Sequence, residues 1–166
     1  SVIKAVIERA NQLNIPTIVD PKKVNFLEYK EVTLYKPNLK EIQEGLGLTI
    51  NPKDTQSVSD GVEKLKNALN SQGVLLTLSE HGVFIKFQNT EKHIPAFKRN
   101  IVDVSGAGDT VVSVAALALA KNLPPEEVAL LANLSGGLVC EEVGVVPINP
   151  GKLKEEFAQN LNYGKQ

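Results

Sequence analysis

GVLLTLS, residues 73–79, is the stretch on which the fold turns. It is a continuous apolar run of strand length. Such a run is expected of a strand buried on both faces of a parallel sheet. Working outward, DTQSVSDGVEKLKNAL (54–69) places Val58, Val62, Leu65 and Leu69 on one helical face. On the other side, HGVFIKFQ (81–88) and EKHIPAF (91–97) read as antiparallel ribbons. The first alternates Val83, Ile85 and Phe87, the pattern of a half-buried strand. Further out lie a helix over 2–13, strands IPTIVD (15–20) and VTLYKP (32–37), and a helical NLKEIQEGL (38–46). Asn38 opens that helix and Glu41 follows three residues later, the spacing of an N-cap and its reciprocal partner. Downstream, helices are predicted over 106–121, from Pro124-Pro125 to about 141, and near 151–161. Strands alternating with helices predict an α/β fold with a mainly parallel sheet.

Composition narrows the function. The chain has 166 residues, a length that suits one domain, and no repeat or interdomain linker is visible. Hydrophobic residues make up 42% and charged residues 22%, so a packed core is expected. A net charge of -1 with scattered lysines carries no electrostatic footprint for nucleic acid. No apolar segment is long enough to span a bilayer and no signal peptide is visible, which predicts a soluble, cytoplasmic protein. The single cysteine, Cys140, excludes an intramolecular disulfide and reads as a buried small hydrophobe. The chain opens in mid-helix, without Met and without a preceding strand. The expectation is a piece of something larger.

The chemistry concentrates in DVSGAGDT, residues 103–110. Small residues at 105–108 allow a tight turn and leave backbone N–H groups uncovered. At a helix N-terminus such groups carry the positive end of the dipole and attract phosphate or a developing oxyanion. Asp109 sits in the first helical turn, where it would repel phosphate unless it had work to do. A base taking a proton from a hydroxyl nucleophile is one such task. Capping of the helix is the competing reading, and the turn alone does not decide between them. Neither a Walker-type Gly-Lys-Ser/Thr loop nor a Gly-x-Gly-x-x-Gly turn is present.

Taken together, four motifs are more specific. DVSGAGDT resembles the Asp-Thr-x-Gly-Ala-Gly-Asp signature of the ribokinase/PfkB carbohydrate kinases, with Val104 in place of the usual Thr. KPNLKE (36–41) resembles that family's Asn-x-x-Glu motif. TLSEHG (77–82) resembles its Thr-Leu-Gly-x-x-Gly nucleotide loop, with Ser79 where Gly is common. ANLSGGLVCEEVG (132–144) resembles the helix that walls its adenine pocket. The four occur in family order over roughly residues 15–147.

The resemblance implies the C-terminal portion of a ribokinase-like domain: a mainly parallel sheet with helices on both faces. It implies an ATP-dependent sugar kinase in which Asp109 is the base and Gly106, Ala107 and Gly108 cradle the transferring phosphate. Thr77, Ser79, Gly82 and Asn133 would line the nucleotide. Asn38 and Glu41 would organise Mg²⁺ largely through water, a sensible arrangement for an ion that keeps several waters. Asp103 with nearby carbonyls would suit a monovalent cation such as K⁺.

The segment DPKKVNFLEYKEVTLYKPNLKE (20–41) resembles one subfamily more than ribokinase itself: the bacterial heptose 7-phosphate kinases of ADP-heptose synthesis. This implies D-glycero-β-D-manno-heptose 7-phosphate as the sugar phosphate substrate, with Lys22 meeting a phosphate as a mobile point charge. An exposed lysine in a polar loop is the equally weighted alternative. The kinase family's N-terminal half, with most sugar contacts, has no counterpart here. The chain is therefore expected to be inactive alone, and to pack against a polypeptide carrying the missing strands or to self-associate. The alternatives are another PfkB kinase, acting on ribose, fructose or a sugar phosphate, and a nucleotide-binding half without turnover. His81 and His93 read as isolated surface or ribbon residues.

Overall fold

The computed structural model describes residues 1–161. They divide into two compact units, Ser1–His93 and a second beginning at Ile94. The first unit opens with helix α1 (Val2–Gln12) and continues through strands β1 (Ile18–Val19) and β2 (Leu34–Tyr35). Helices α2 (Leu39–Leu46) and α3 (Thr55–Leu69) follow, then strands β3 (Gly73–Thr77), β4 (Val83–Phe87) and β5 (Thr90–Ile94). The sheet runs in the order β1-β2-β3-β4-β5. β1 pairs with β2 and β2 with β3 in parallel, whereas β4 runs antiparallel to β3, with Leu75 opposite Ile85. A two-residue turn at Gln88-Asn89 joins β4 to β5, and so short a connection makes that pair antiparallel as well.

Strand β3 is buried on both faces, as its unbroken apolar run predicts. Val74 and Leu76 join a core formed with Val58, Val62, Leu65 and Leu69 of α3, together with Ile42 of α2 and Phe84. Leu75 points the opposite way, since side chains alternate across a strand, and it too is fully buried. The expected alternation in β4 is not what the fold uses. Phe84 packs into the α3 core while Val83 and Ile85 are buried on the other face. Lying beside β3, the strand is enclosed on both sides at its start and opens only at Lys86 and Phe87.

Strands β1 and β2 are shorter than the apolar stretches that contain them. Side chains end the ladder early: the Thr33 hydroxyl accepts the N–H of Thr17 (2.9 Å), and the Thr17 hydroxyl accepts the N–H of Thr33 (3.1 Å). At the other end Pro37 has no N–H to donate, but its carbonyl still accepts from Thr77 (3.1 Å).

The second unit is helical: α4 (Ala107–Ala120), α5 (Pro125–Val139) and α6 (Pro150–Asn160). Helices α4 and α5 pack along each other, with Val111, Val114, Ala115 and Ala118 buried on the first and Val128, Ala132 and Leu138 among those buried on the second. Pro125 stands at the first turn of α5, where the missing N–H costs nothing. Cys140 is buried as expected, and burial pushes its thiol pKa up. Among the described residues no helix is long and apolar enough to cross a membrane.

Candidate functional site

In the first unit the polar residues gather where the parallel strands end. Asp20 directly follows β1, Lys36 follows β2, and Thr77 ends β3. Asn38 forms an isolated parallel bridge with Thr77, which sets the start of α2 beside the carboxyl end of β3. Open α/β sheets bind ligands at this edge. The helix start closes on itself by a capping box. Asn38 Oδ1 accepts the N–H of Glu41 (2.9 Å), and Glu41 Oε2 accepts the N–H of Asn38 (2.8 Å). Glu41 Oε1 remains free of any partner among the described residues. One free carboxylate oxygen suits a metal held through water rather than by direct ligation alone.

Lys36, which the sequence reading passed over, is the buried charge of this edge. Only 4% of its side chain is exposed, and its Nζ lies 2.8 Å from Asp20 Oδ1. Lys22, singled out from the sequence, is 79% exposed and stands 3.9 Å from Asp20 Oδ2. The signal for Lys36 was available: a cation closing the apolar strand VTLYK must be paired, because an isolated buried ammonium is too costly. Tyr35, beside it, is buried and donates its hydroxyl to the Phe26 carbonyl. Burial first, then the nearby Tyr29, Glu41 and Asp20, push its pKa far above the ordinary tyrosine value. It stays neutral.

Residues 78–82 form a tight turn between β3 and β4. Leu78 donates to the Gly82 carbonyl (2.8 Å), His81 to Leu78 (3.0 Å) and Gly82 to Ser79 (3.0 Å). Gly82 has φ +87° and ψ −135°, a conformation side chains avoid. Ser79 adopts φ +53°, the left-handed region, at the position where the resembling motif carries glycine. His81 and His93 are not isolated, contrary to the sequence reading. His93 Nε2 lies 2.7 Å from the carbonyl oxygen of His81.

In the second unit the glycine turn takes the predicted form. Gly106 has φ +76° and precedes α4 without a side-chain cap. A Cβ there would come within 2.9 Å of Val145 Cγ1. The N–H of Ala107 reaches the Val104 carbonyl at 3.3 Å. Among the described residues nothing takes the N–H groups of Gly108 and Asp109. Asp109 lies exposed in the first turn of α4. Asp103 braces the turn from below. Its Oδ1 accepts from the N–H (2.9 Å) and hydroxyl (2.8 Å) of Ser105, and its Oδ2 from the N–H of Gly144 (3.0 Å). These bonds, those from Ser105 first, hold its pKa below the usual aspartate value. Asn133, on α5, donates to the carbonyls of Pro95 (2.9 Å) and Ile94 (3.4 Å) and so anchors the segment that follows β5. Among the described residues no group of three His, Cys, Asp or Glu side chains forms a ready metal cage.

The chain as a whole has known counterparts. Residues 1–151 match the family model described as pfkB family carbohydrate kinase. The chain belongs to the pfkB family. It is 36% identical over 159 residues to a bifunctional protein HldE from Syntrophotalea carbinolica, covering 95% of this chain and 32% of the relative. A bifunctional protein HldE from Campylobacter curvus is 34% identical over 161 residues, covering 97% of this chain and 34% of the relative. The chain thus spans about a third of the length of these curated relatives. Among solved structures, phosphofructokinase-2 from Escherichia coli in complex with potassium superposes with a TM-score of 0.83 at 20% identity. It covers 99% of this chain and 52% of that one. Ribokinase from Thermotoga maritima superposes with a TM-score of 0.71 at 26% identity, covering 95% of this chain and 54% of that one. The fold is therefore ribokinase-like, with a mixed, mostly parallel sheet.

Proposed function

We propose that this chain is the nucleotide-binding and catalytic portion of an ATP-dependent sugar kinase that phosphorylates C1 of D-glycero-β-D-manno-heptose 7-phosphate, a step toward ADP-heptose and lipopolysaccharide core. The observation that carries the reading is the uncapped glycine turn with Asp109 in the first helical turn. Asp109 takes the proton of the sugar hydroxyl as its oxygen attacks the γ-phosphorus and the bond to ADP breaks. The N–H groups of the turn stabilise charge on the transferred group: Gly106, Gly108 and Asp109 directly, and Ala107 once its long bond to the Val104 carbonyl is exchanged. Asn38 and Glu41 hold the water shell of Mg²⁺, which when bound neutralises charge on the phosphates. Thr77, Ser79 and Gly82 shape one wall for the nucleotide, and Asn133 acts from α5 by ordering residues 94–95. Asp103 is assigned first to bracing the turn; its three donors leave room for K⁺ only as an additional partner. The place of action is the reducing cytoplasm, in keeping with an unpaired Cys140.

Heptose phosphate is favoured over other sugars by the segment 20–41 and by similarity to HldE proteins over nearly the whole chain. Lys22 is the exposed cation offered to the sugar's phosphate. Most sugar contacts are assigned to segments outside this chain's span, in the same polypeptide or a partner. The test is a coupled assay of the longer parent with ATP, Mg²⁺ and a panel of heptose 7-phosphate, ribose and fructose 6-phosphate. The expected preference for heptose 7-phosphate is at least about tenfold in kcat/KM: uncharged ribose gives Lys22 no phosphate to meet, and fructose 6-phosphate carries its phosphate on a shorter sugar. Equal activity on ribose removes the heptose assignment and leaves the family intact.

A further inference from the structure

The turn at residues 78–82 has a support that none of the family-like motifs contains. Its internal hydrogen bonds satisfy the Leu78, His81 and Gly82 N–H groups, and none of them uses the His81 carbonyl. Two of its five residues hold left-handed backbone angles, and one of these is a serine. A non-glycine residue at positive φ persists where its surroundings hold it there. The hairpin supplies the hold. β4 leaves directly from Gly82, the chain reverses at Gln88-Asn89, and β5 returns to bring His93 Nε2 to 2.7 Å from the His81 oxygen. A carbonyl can only accept, so Nε2 carries the proton and the tautomer is set by the loop. Among the described residues this is the one side-chain hydrogen bond that ties the loop to another strand.

We propose that His93 is a positioning residue for nucleotide binding: its Nε2–H latches the His81 carbonyl and holds the 78–82 turn in the shape that presents Ser79 and Gly82 to ATP. This rests on the kinase reading above. His93 does not touch the nucleotide and has no part in the transfer step. Its loss is expected in ATP binding and not in turnover or sugar affinity.

The experiment uses the longer parent and two variants. His93→Leu keeps the volume and removes the donor; His93→Gln keeps a donor nitrogen at a similar reach. His93→Leu should raise KM for ATP by roughly tenfold, the scale of one lost hydrogen bond, while kcat and the sugar KM stay within about twofold. His93→Gln should recover most of the loss. Hydrogen exchange of the Leu78 and Gly82 amides, measured without nucleotide, should be faster in His93→Leu than in wild type. An unchanged ATP KM in His93→Leu, or a rise in both KM values that glutamine does not rescue, overturns the proposal. Wild-type protein that binds no ATP instead sinks the kinase reading and this latch's nucleotide role, while amide exchange still decides whether the latch itself exists.

Discussion

The two helix starts near the proposed chemistry are built in opposite ways. Helix α2 begins with Asn38 and Glu41 satisfying each other's backbone N–H groups, so its N-terminus is closed. Helix α4 begins at a left-handed glycine with no side-chain cap, so its N-terminus stays open. A start closed by side chains spends those side chains on holding geometry, and of the side-chain oxygens of Asn38 and Glu41 only Glu41 Oε1 is left to offer a ligand. An open start keeps unpaired N–H groups and the dipole's positive end for an anion. Both are helix N-termini, but the first follows an extended segment and is suited to positioning, and the second follows a tight turn and is suited to binding charge.

The comparison breaks first at Asp109. If the open start performs the chemistry, Asp109→Asn in the parent should lower kcat by roughly 10²–10⁴, the usual scale for a lost general base. ATP affinity should change little. Near-normal turnover of this variant in the coupled assay would return Asp109 to the role of a helix-start carboxylate.

At the closed start the expected losses are in stability. Asn38→Ala removes the acceptor for Glu41 N–H and should cost about 1 kcal/mol, read from denaturant unfolding. Asn38→Asp keeps an acceptor at the same place and should retain most of that stability. If both variants are equally unstable, the capping box is not what holds the start of α2.

The smallest effect sharpens the contrast through pH. The Asp103 pKa is depressed by its bonds from Ser105 and Gly144, so the folded protein binds this proton less readily than the unfolded chain. Its contribution to stability is fully present above the ordinary aspartate value of about 3.9 and is lost as pH falls through the lower folded value. Unfolding curves of wild type and Asp103→Asn should therefore differ at neutral pH and converge in acid. A constant difference down to pH 2 would show that the carboxylate's charge does not brace the open turn.

What could be read without a structure was whatever depends on local spacing. The apolar run at 73–79 predicted a strand buried on both faces, because Val74, Leu75 and Leu76 in succession leave neither face able to meet water without loss. The strand itself ends at Thr77, and Ser79 lies exposed in the turn. Asn38 and Glu41 predicted the capping box, since both bonds lie within one helical turn. The small residues at 105–108 predicted a tight turn opening a helix, because only glycine enters the left-handed region freely. Family membership followed from four such motifs in order.

What only the tertiary structure decided involves groups far apart in the chain. The Thr17–Thr33 exchange shortens two strands whose apolar stretches suggested longer ones, and propensity carries no record of a partner sixteen residues away. Phe84 stood on the supposed solvent face of an alternating strand until β3 and α3 enclosed it. Lys36 and Asp20 meet because two parallel strands end side by side, and the same sequence in a loop would leave both in water. His93 seemed isolated because its partner is a backbone carbonyl, which no side-chain pattern can announce. Local rules place helix starts and tight turns; long-range packing sets the strand ends and selects which polar groups are buried together, because only there does desolvation force each one to find a partner.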